Sequence, residues 1–353
     1  MYWLRYEYTM DRAWLGDRAY PMIKGTAEFY RNYPNVKKGR DGKYHIYYVN
    51  NGESFVGYRQ DTMEEISAMR GILPVAIKAS DILGVDAGLR AAWRELLDNL
   101  APLPTTGNYG NGPRRYRSFS PTYSFDLVTL ETDDPEAIEL ANGSFFPKGI
   151  YANMKVGVLS TAPLAAAMLG RSDAVKIFIP DQIRCLSPET GFCYFVQTGR
   201  TGVLANRMTL REGVNAIGAQ RLGLASDALQ LALCQSVPAG PAQDAVIRIF
   251  PAWPRDWDAE YTLLCRGGFL VTSSMQKGRI EFVEIKSQVG GECRLRNPWP
   301  GGEVTLYRDG RKWENTDGSL LKFATLKNQI FVVVPKGCIP SDFKRVILGE
   351  NKQ

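Results

Sequence analysis

Near residue 240 the periodicity of the chain changes, and that change limits what it can fold into. Before it, apolar residues recur at steps of three and four. After it they come in short β-branched runs that alternate with polar residues. In the first part, Trp14, Leu15, Tyr20, Met22, Ile23, Ala27, Phe29 and Tyr30 predict helix. Asp61-Thr62 can cap a second helix, with Glu64 and Glu65 favourable in its first turn and Ile66, Met69, Ile72, Leu73, Ala76, Ile77 and Leu83 on its apolar side. Gly84 predicts its end. Leu89, Trp93, Leu96, Leu97 and Leu100 predict a third helix that stops before Pro102. Helical spacing returns over 135–141, 152–169, 173–183 and 222–235.

The second part predicts strands over 246–250, 269–272, 280–285, 293–296, 303–307 and 329–334. Turns at Lys277-Gly278, Gly290-Gly291, Gly301-Gly302 and Asp309-Gly310 separate them. Helices first and strands afterwards mean segregated layers. The expected class is α+β and multidomain: a helical unit over 1–240 and an antiparallel β-sandwich over 241–353, divided at Pro238-Ala239-Gly240-Pro241. A length of 353 residues allows two domains.

Several function classes are excluded. The net charge of +6 is spread along the chain, with short basic runs at 37–40 and 112–117, so no nucleic-acid partner is expected. No apolar run of membrane-spanning length occurs, and the first residues lack the apolar stretch and cleavage site of a signal peptide. Six cysteines without a CxxC and a single histidine, His45, do not make a structural zinc site, and no cofactor is expected. Cys185 and Cys193 could close a short disulfide loop, or the cysteines are buried free thiols. A Ser-His-Asp triad would need His45, and no serine motif accompanies it.

Four segments could carry chemistry. In the first, Tyr47-Tyr48-Val49-Asn50-Asn51-Gly52-Glu53-Ser54-Phe55, one carboxyl and two amides stand among aromatics. Apolar walls raise a carboxyl pKa, as a general acid requires, and aromatic faces suit sugar rings; an Asn-Gly turn with a solvated glutamate is the plainer alternative. The loop 107–117 contributes Tyr109 and Tyr116 as possible walls of a cleft. Asp126 and Glu131 could face a cleft or be the polar ends of a buried element. Glu212, before Gly213, could stand at a cleft or pair with Arg211 or Arg207. Two carboxyl groups are what glycoside hydrolysis needs.

Three longer stretches resemble glycoside hydrolase family 95, the α-L-fucosidases and their relatives in the six-hairpin glycosidases. They are Arg18–Tyr30, the pair of helices from Met63-Glu64-Glu65-Ile66 to Ile82-Leu83-Gly84-Val85-Asp86, and the junction from Ala232-Leu233-Cys234-Gln235-Ser236 through Ile249-Phe250-Pro251-Ala252-Trp253-Pro254 to Arg266-Gly267-Gly268-Phe269. The resemblance implies a partial (α/α)6 toroid of helical hairpins before the sandwich, an inverting mechanism, and Glu53 at the position of the general acid. The family's Ser-Pro-Glu-Asn run is Asn-Gly-Glu-Ser here, so the glutamate alone carries over. The family's base aspartate would fall near Gly218-Ala219-Gln220, where no carboxylate stands; Glu212 and Asp227 are nearest. The amino-terminal part of the toroid, with the asparagines that assist the base, is expected to lie outside this chain.

The expected function is hydrolysis of α-linked sugars such as α-L-fucosides or α-L-galactosides, with an oligosaccharide or polysaccharide as partner and no membrane. Glu53 would protonate the leaving oxygen. Tyr48, Asn50, Asn51 and Tyr109 would bind sugar, and Glu212, Asp126 or Asp227 would orient water. The family suggests a secreted or periplasmic location. Two other classes stay open. One is a catalytically incomplete fragment that needs its missing region or an oligomer partner. The other is a carbohydrate-binding or structural protein using Trp253, Trp257, Trp299 and Trp313.

Overall fold

A computed structural model of the chain describes residues 1–49, 59–106, 114–143, 145, 161–186 and 219–343. The helical part begins with α1 (Tyr2–Thr9), then a turn at Arg12–Trp14 and a π-helical turn at Leu15–Ala19 leading into α2 (Tyr20–Asn32). A small hairpin, β1 (Val36–Lys38) with β2 (Tyr44–Ile46), comes next. The long helix α3 (Met63–Leu83) and α4 (Ala87–Asp98) follow.

α3 forms where the spacing predicts it. It buries Ile66, Met69, Leu73, Ala76 and Ala79 and carries Glu64 and Glu65 in its first turn. It stops at Gly84, whose φ of 74° lets its N–H reach back to the Ser80 carbonyl at 2.9 Å. A short connection then turns the chain into α4, an αα-hairpin. Trp93 of α4 is fully buried between α2 and α3, and its indole N–H donates to Glu28 at 2.7 Å. Tyr30 donates to Glu65 at 2.8 Å, binding α2 to α3.

A second helical group contains α5 (Pro135–Asn142), α6 (Ala162–Met168), α7 (Ser172–Leu186) and α8 (Ala219–Leu233). Its core is small-residue rich: Ala165, Ala166, Ala167, Ala174 and Ala228 let α6, α7 and α8 approach closely around Phe178. Helix expected over 152–169 is described from Ala162, and the earlier part lies outside the described residues.

The sandwich has a four-stranded sheet and a six-stranded sheet. The first contains β3 (Cys234–Val237), β4 (Val246–Ile249), β8 (Gly291–Arg296) and β11 (Leu320–Thr325) in the order β11-β8-β4-β3. The second contains β5 (Ala259–Cys265), β6 (Phe269–Gln276), β7 (Arg279–Ser287), β9 (Val304–Arg308), β10 (Arg311–Thr316) and β12 (Ile330–Pro335) in the order β10-β9-β12-β7-β6-β5. Alternation places Ile247, Ile249, Leu295 and Phe323 of one sheet against Val271, Val283, Ile285 and Phe331 of the other. Two findings refine the expected pattern. One pair, Leu295 opposite Ile247, runs parallel. And the stretch read as the end of the last helix leaves it at Leu233: Cys234 to Val237 pair with Ile249 to Val246 instead.

Helical part and sandwich meet in a charged seam. Arg266, after β5, pairs with Asp126 at 2.7 Å and lies 3.5 Å from Glu7 of α1. Arg248 of β4 pairs with Glu131 at 2.6 Å, and Arg296 of β8 holds the same carboxylate. The Gly267 N–H donates to the Glu7 carbonyl at 2.7 Å.

Candidate functional site

The segment around Glu53 is anchored by structure on both sides. β2 is fixed to the end of α4: the Tyr44 N–H donates to the Asn99 carbonyl at 2.7 Å, and Ala101 N–H donates to the Tyr44 carbonyl at 2.9 Å. Past β2, Val49 and Arg59 exchange backbone hydrogen bonds of 3.1 and 3.0 Å. That bridge closes the base of the intervening segment. Asn50, Asn51 and Glu53 lie within it and outside the described residues, as do Tyr109 and Glu212.

His45 and Asp61 lock this base. Asp61 accepts from the Ile46 N–H at 2.9 Å through one oxygen and meets His45 Nδ1 at 2.6 Å through the other. Gln60 also donates to Asp61, at 3.0 Å, and Asp41 stands 3.1 Å from His45 Nε2. The hydrogen bond to Asp61 pushes the His45 pKa up against the opposing effect of burial, and Asp41 adds to it. With both ring nitrogens engaged by carboxylates, His45 is a structural clamp.

Beside the returning chain is a recess of about 330 Å³ lined by Arg59, Gln60, Thr62, Met63, Glu64 and Arg117. It brings Glu64 and two arginines to the place where the Glu53 segment re-enters α3. A place in the first helical turn already accounts for Glu64 in the sequence, so its position at a recess carried no separate signal. Arg117 comes from the loop read as a cleft wall; Tyr116 of that loop is buried in the second helical core. Tyr48 is 61% exposed, with φ of 56°, one residue before the bridge.

The other candidate carboxylates are not gathered here. Asp126 is paired with Arg266 in the seam, and Glu131 with Arg248 and Arg296. A seam cavity of about 270 Å³ is lined by Trp3, Glu7, Arg266 and, from α3, Lys78 and Ile82. Lys78 is fifteen residues after Met63, which at 1.5 Å per residue is about 22 Å along the helix from the recess. Asp227 stands on the exposed side of α8. The tryptophans considered as sugar platforms are partly engaged: Trp253 donates to the Trp257 carbonyl at 2.9 Å, and Trp299 to the Ile280 carbonyl at 3.1 Å. Trp313, 38% exposed on the edge strand β10, packs edge-on against Phe331.

Among the described residues no group of three or more His, Cys, Asp and Glu gathers as a metal site, and no helix is long and apolar enough to cross a membrane. Cys234, Cys265, Cys293 and Cys338 are free thiols; the side chains of Cys185 and Cys193 lie outside the described residues.

Comparison with known proteins gives two family matches. Residues 1–111 match the glycosyl hydrolase family 95 catalytic domain, and residues 242–333 match the glycoside hydrolase family 95 C-terminal domain. No curated protein sequence matches the chain. Among solved structures, a protein provisionally described as a kojibiose phosphorylase from the human microbiome is similar at 11% identity and a TM-score of 0.44, covering 91% of this chain and 48% of its own. A GH127 β-L-arabinofuranosidase from Geobacillus stearothermophilus T6 is similar at 12% identity and a TM-score of 0.22, covering 77% of this chain and 41% of its own. The chain therefore spans about half the length, or less, of these two structures.

Proposed function

From a chain that matches glycoside hydrolase family 95 domains over residues 1–111 and 242–333, we propose a glycosidase that acts on α-linked sugars, α-L-fucosides or α-L-galactosides, by inversion. Glu53 is the general acid in this reading. The observation that carries it is the closed base at Val49 and Arg59, within the stretch matching the catalytic domain, which ties the two ends of the Glu53 segment to each other. A proton donor must be held in place to act, and rigid support is what confines it.

The acid would protonate the glycosidic oxygen while a second carboxylate draws a proton from the attacking water on the opposite face of the sugar. Asn50, Asn51, Tyr48 and Tyr109 are proposed to hold the sugar. Glu212, Asp227 and Asp126 are the proposed water-orienting groups. The ion pair of Asp126 with Arg266 favours testing the other two first, and Glu64 joins them because it lines the recess beside the segment.

The test is hydrolysis of aryl α-L-fucosides, aryl α-L-galactosides and natural oligosaccharides by wild type, Glu53→Gln, Glu212→Gln, Asp227→Asn and Glu64→Gln. Removing the acid is expected to lower kcat on natural oligosaccharides by about 10²–10⁴-fold, and less on aryl glycosides whose leaving groups need little protonation. Undiminished kcat in Glu53→Gln on both substrate types would end the assignment. Wild-type chain with no turnover favours the second reading, a partial domain whose missing carboxylate comes from elsewhere.

A further inference from the structure

We propose that Cys234 and Cys265 are a disulfide-forming pair that staples the two sheets of the sandwich together where the last helix enters it. The two sulfurs are 3.4 Å apart and buried. Cys234 is the first residue of β3, directly after α8, and Cys265 is the last residue of β5 in the opposite sheet. A disulfide bond is about 2.05 Å long, so the sulfurs need to approach by only about 1.4 Å.

Position gives the pair its consequence. The Phe250 N–H donates to the Leu233 carbonyl at 2.7 Å, so Cys234 lies at the foot of α8 where it is stitched to the first sheet. Arg266, the residue after Cys265, reaches Asp126 and Glu7 in the helical part. A bond between the two sulfurs would join the end of α8, both sheets and the seam at one point, closing a loop between residues 31 positions apart.

The chemistry needs a disulfide donor such as oxidised glutathione. One cysteine thiolate attacks a glutathione sulfur, forming a mixed disulfide and releasing one glutathione thiolate. The second cysteine thiolate then attacks the protein sulfur of the mixed disulfide and releases the other. The two cysteine protons end on the two released glutathiones. In the folded protein the hydrogen bond with Cys234, together with burial, pushes the Cys265 thiol up and keeps it neutral. Exchange in the native state is accordingly slow, and the bond forms during folding or local opening.

The test uses the full chain, refolded in oxidised and reduced glutathione or in dithiothreitol, then alkylated in denaturant and mapped by mass spectrometry. The expected product in the oxidising buffer is a peptide pair joined through residues 234 and 265 and two hydrogens lighter than the separate peptides. Its unfolding midpoint should lie about 5–10 °C above that of the reduced protein. Cys234→Ala and Cys265→Ala should each abolish the shift between the two buffers. Where refolding is inefficient, native protein equilibrated with oxidised glutathione in sub-denaturing urea gives the same readout. Full alkylation of both cysteines after oxidation, linkage of either one to Cys293 instead, or a linked product whose midpoint does not rise would each overturn the proposal.

Discussion

Glu7 is a buried carboxyl whose charge the fold disfavours. Burial pushes its carboxyl up to about 7 from an ordinary value of 4.5; Arg266 opposes this and Asp126 reinforces it. One guanidinium faces two carboxylates, and Asp126 has the shorter contact at 2.7 Å against 3.5 Å. The folded state therefore binds a proton at Glu7 that the unfolded chain has released, between pH of about 4.5 and about 7. Stability from this site is fully present below the unfolded pKa and declines as pH rises through the folded one. The shift corresponds to roughly 3 kcal/mol at most, at about 1.4 kcal/mol per pKa unit. Glu7→Gln keeps the shape of the protonated form. Its urea midpoint should match wild type near pH 4, below the unfolded pKa, and exceed it near pH 8. Parallel pH profiles for the two proteins would show that Glu7 ionises freely.

Two glycines in helices make opposite demands at the scale of the element. Gly71 sits in the middle of α3, where glycine normally costs about 1 kcal/mol relative to alanine. A Cβ built there would meet the Phe125 ring at 2.8 Å, so the missing side chain is the space that lets the segment before Asp126 lie against α3. Gly25, inside α2, has nothing within 4 Å and faces solvent between the exposed Met22 and Phe29. Gly71→Ala is expected to destabilise by about 1–3 kcal/mol through overpacking. Gly25→Ala is expected to stabilise by about 0.5–1 kcal/mol through backbone entropy. Chemical denaturation of the pair is the check, and a gain at Gly71 would mean that Phe125 moves aside without cost.

For the whole molecule, Glu131 is one of the carboxylates that join the helices to the sandwich. Its side chain is 7% exposed and serves Arg248 and Arg296, which are 24% and 32% exposed. Glu131→Ala leaves two partly buried guanidiniums without their carboxylate. The expected loss is roughly 2–3 kcal/mol, below the ~3–5 kcal/mol of a fully buried pair because both arginines reach water. Calorimetry should also resolve a separate melting of the sandwich in this variant; a single unshifted transition would show that apolar contacts alone couple the parts. This seam marks the division between what could be read from the chain and what could not. Periodicity is a local property, and it sufficed for α3 with its stop at Gly84, for α4, and for strands such as Ile330–Pro335 and most of Arg279–Ser287, but only for the first half of Phe269–Gln276. It missed Ala259–Cys265 and Leu320–Thr325. It also missed Arg311–Thr316, whose mostly polar residues lie on a sheet edge, and Cys234–Val237, whose apolar run continues a helix until pairing with Val246–Ile249 claims it. The amides and carboxyl of the Glu53 segment stand out by composition, but the Asp61 clamp and the recess at Glu64 and Arg117 needed the folded chain. Sequence alone determined that helices come first and strands after them, because backbone preference and burial of alternate residues act within a few positions. Tertiary structure alone decided that Asp126 and Glu131 face arginines more than a hundred residues away, because the fate of a carboxylate is set by whatever charge the fold brings within a few ångströms of it.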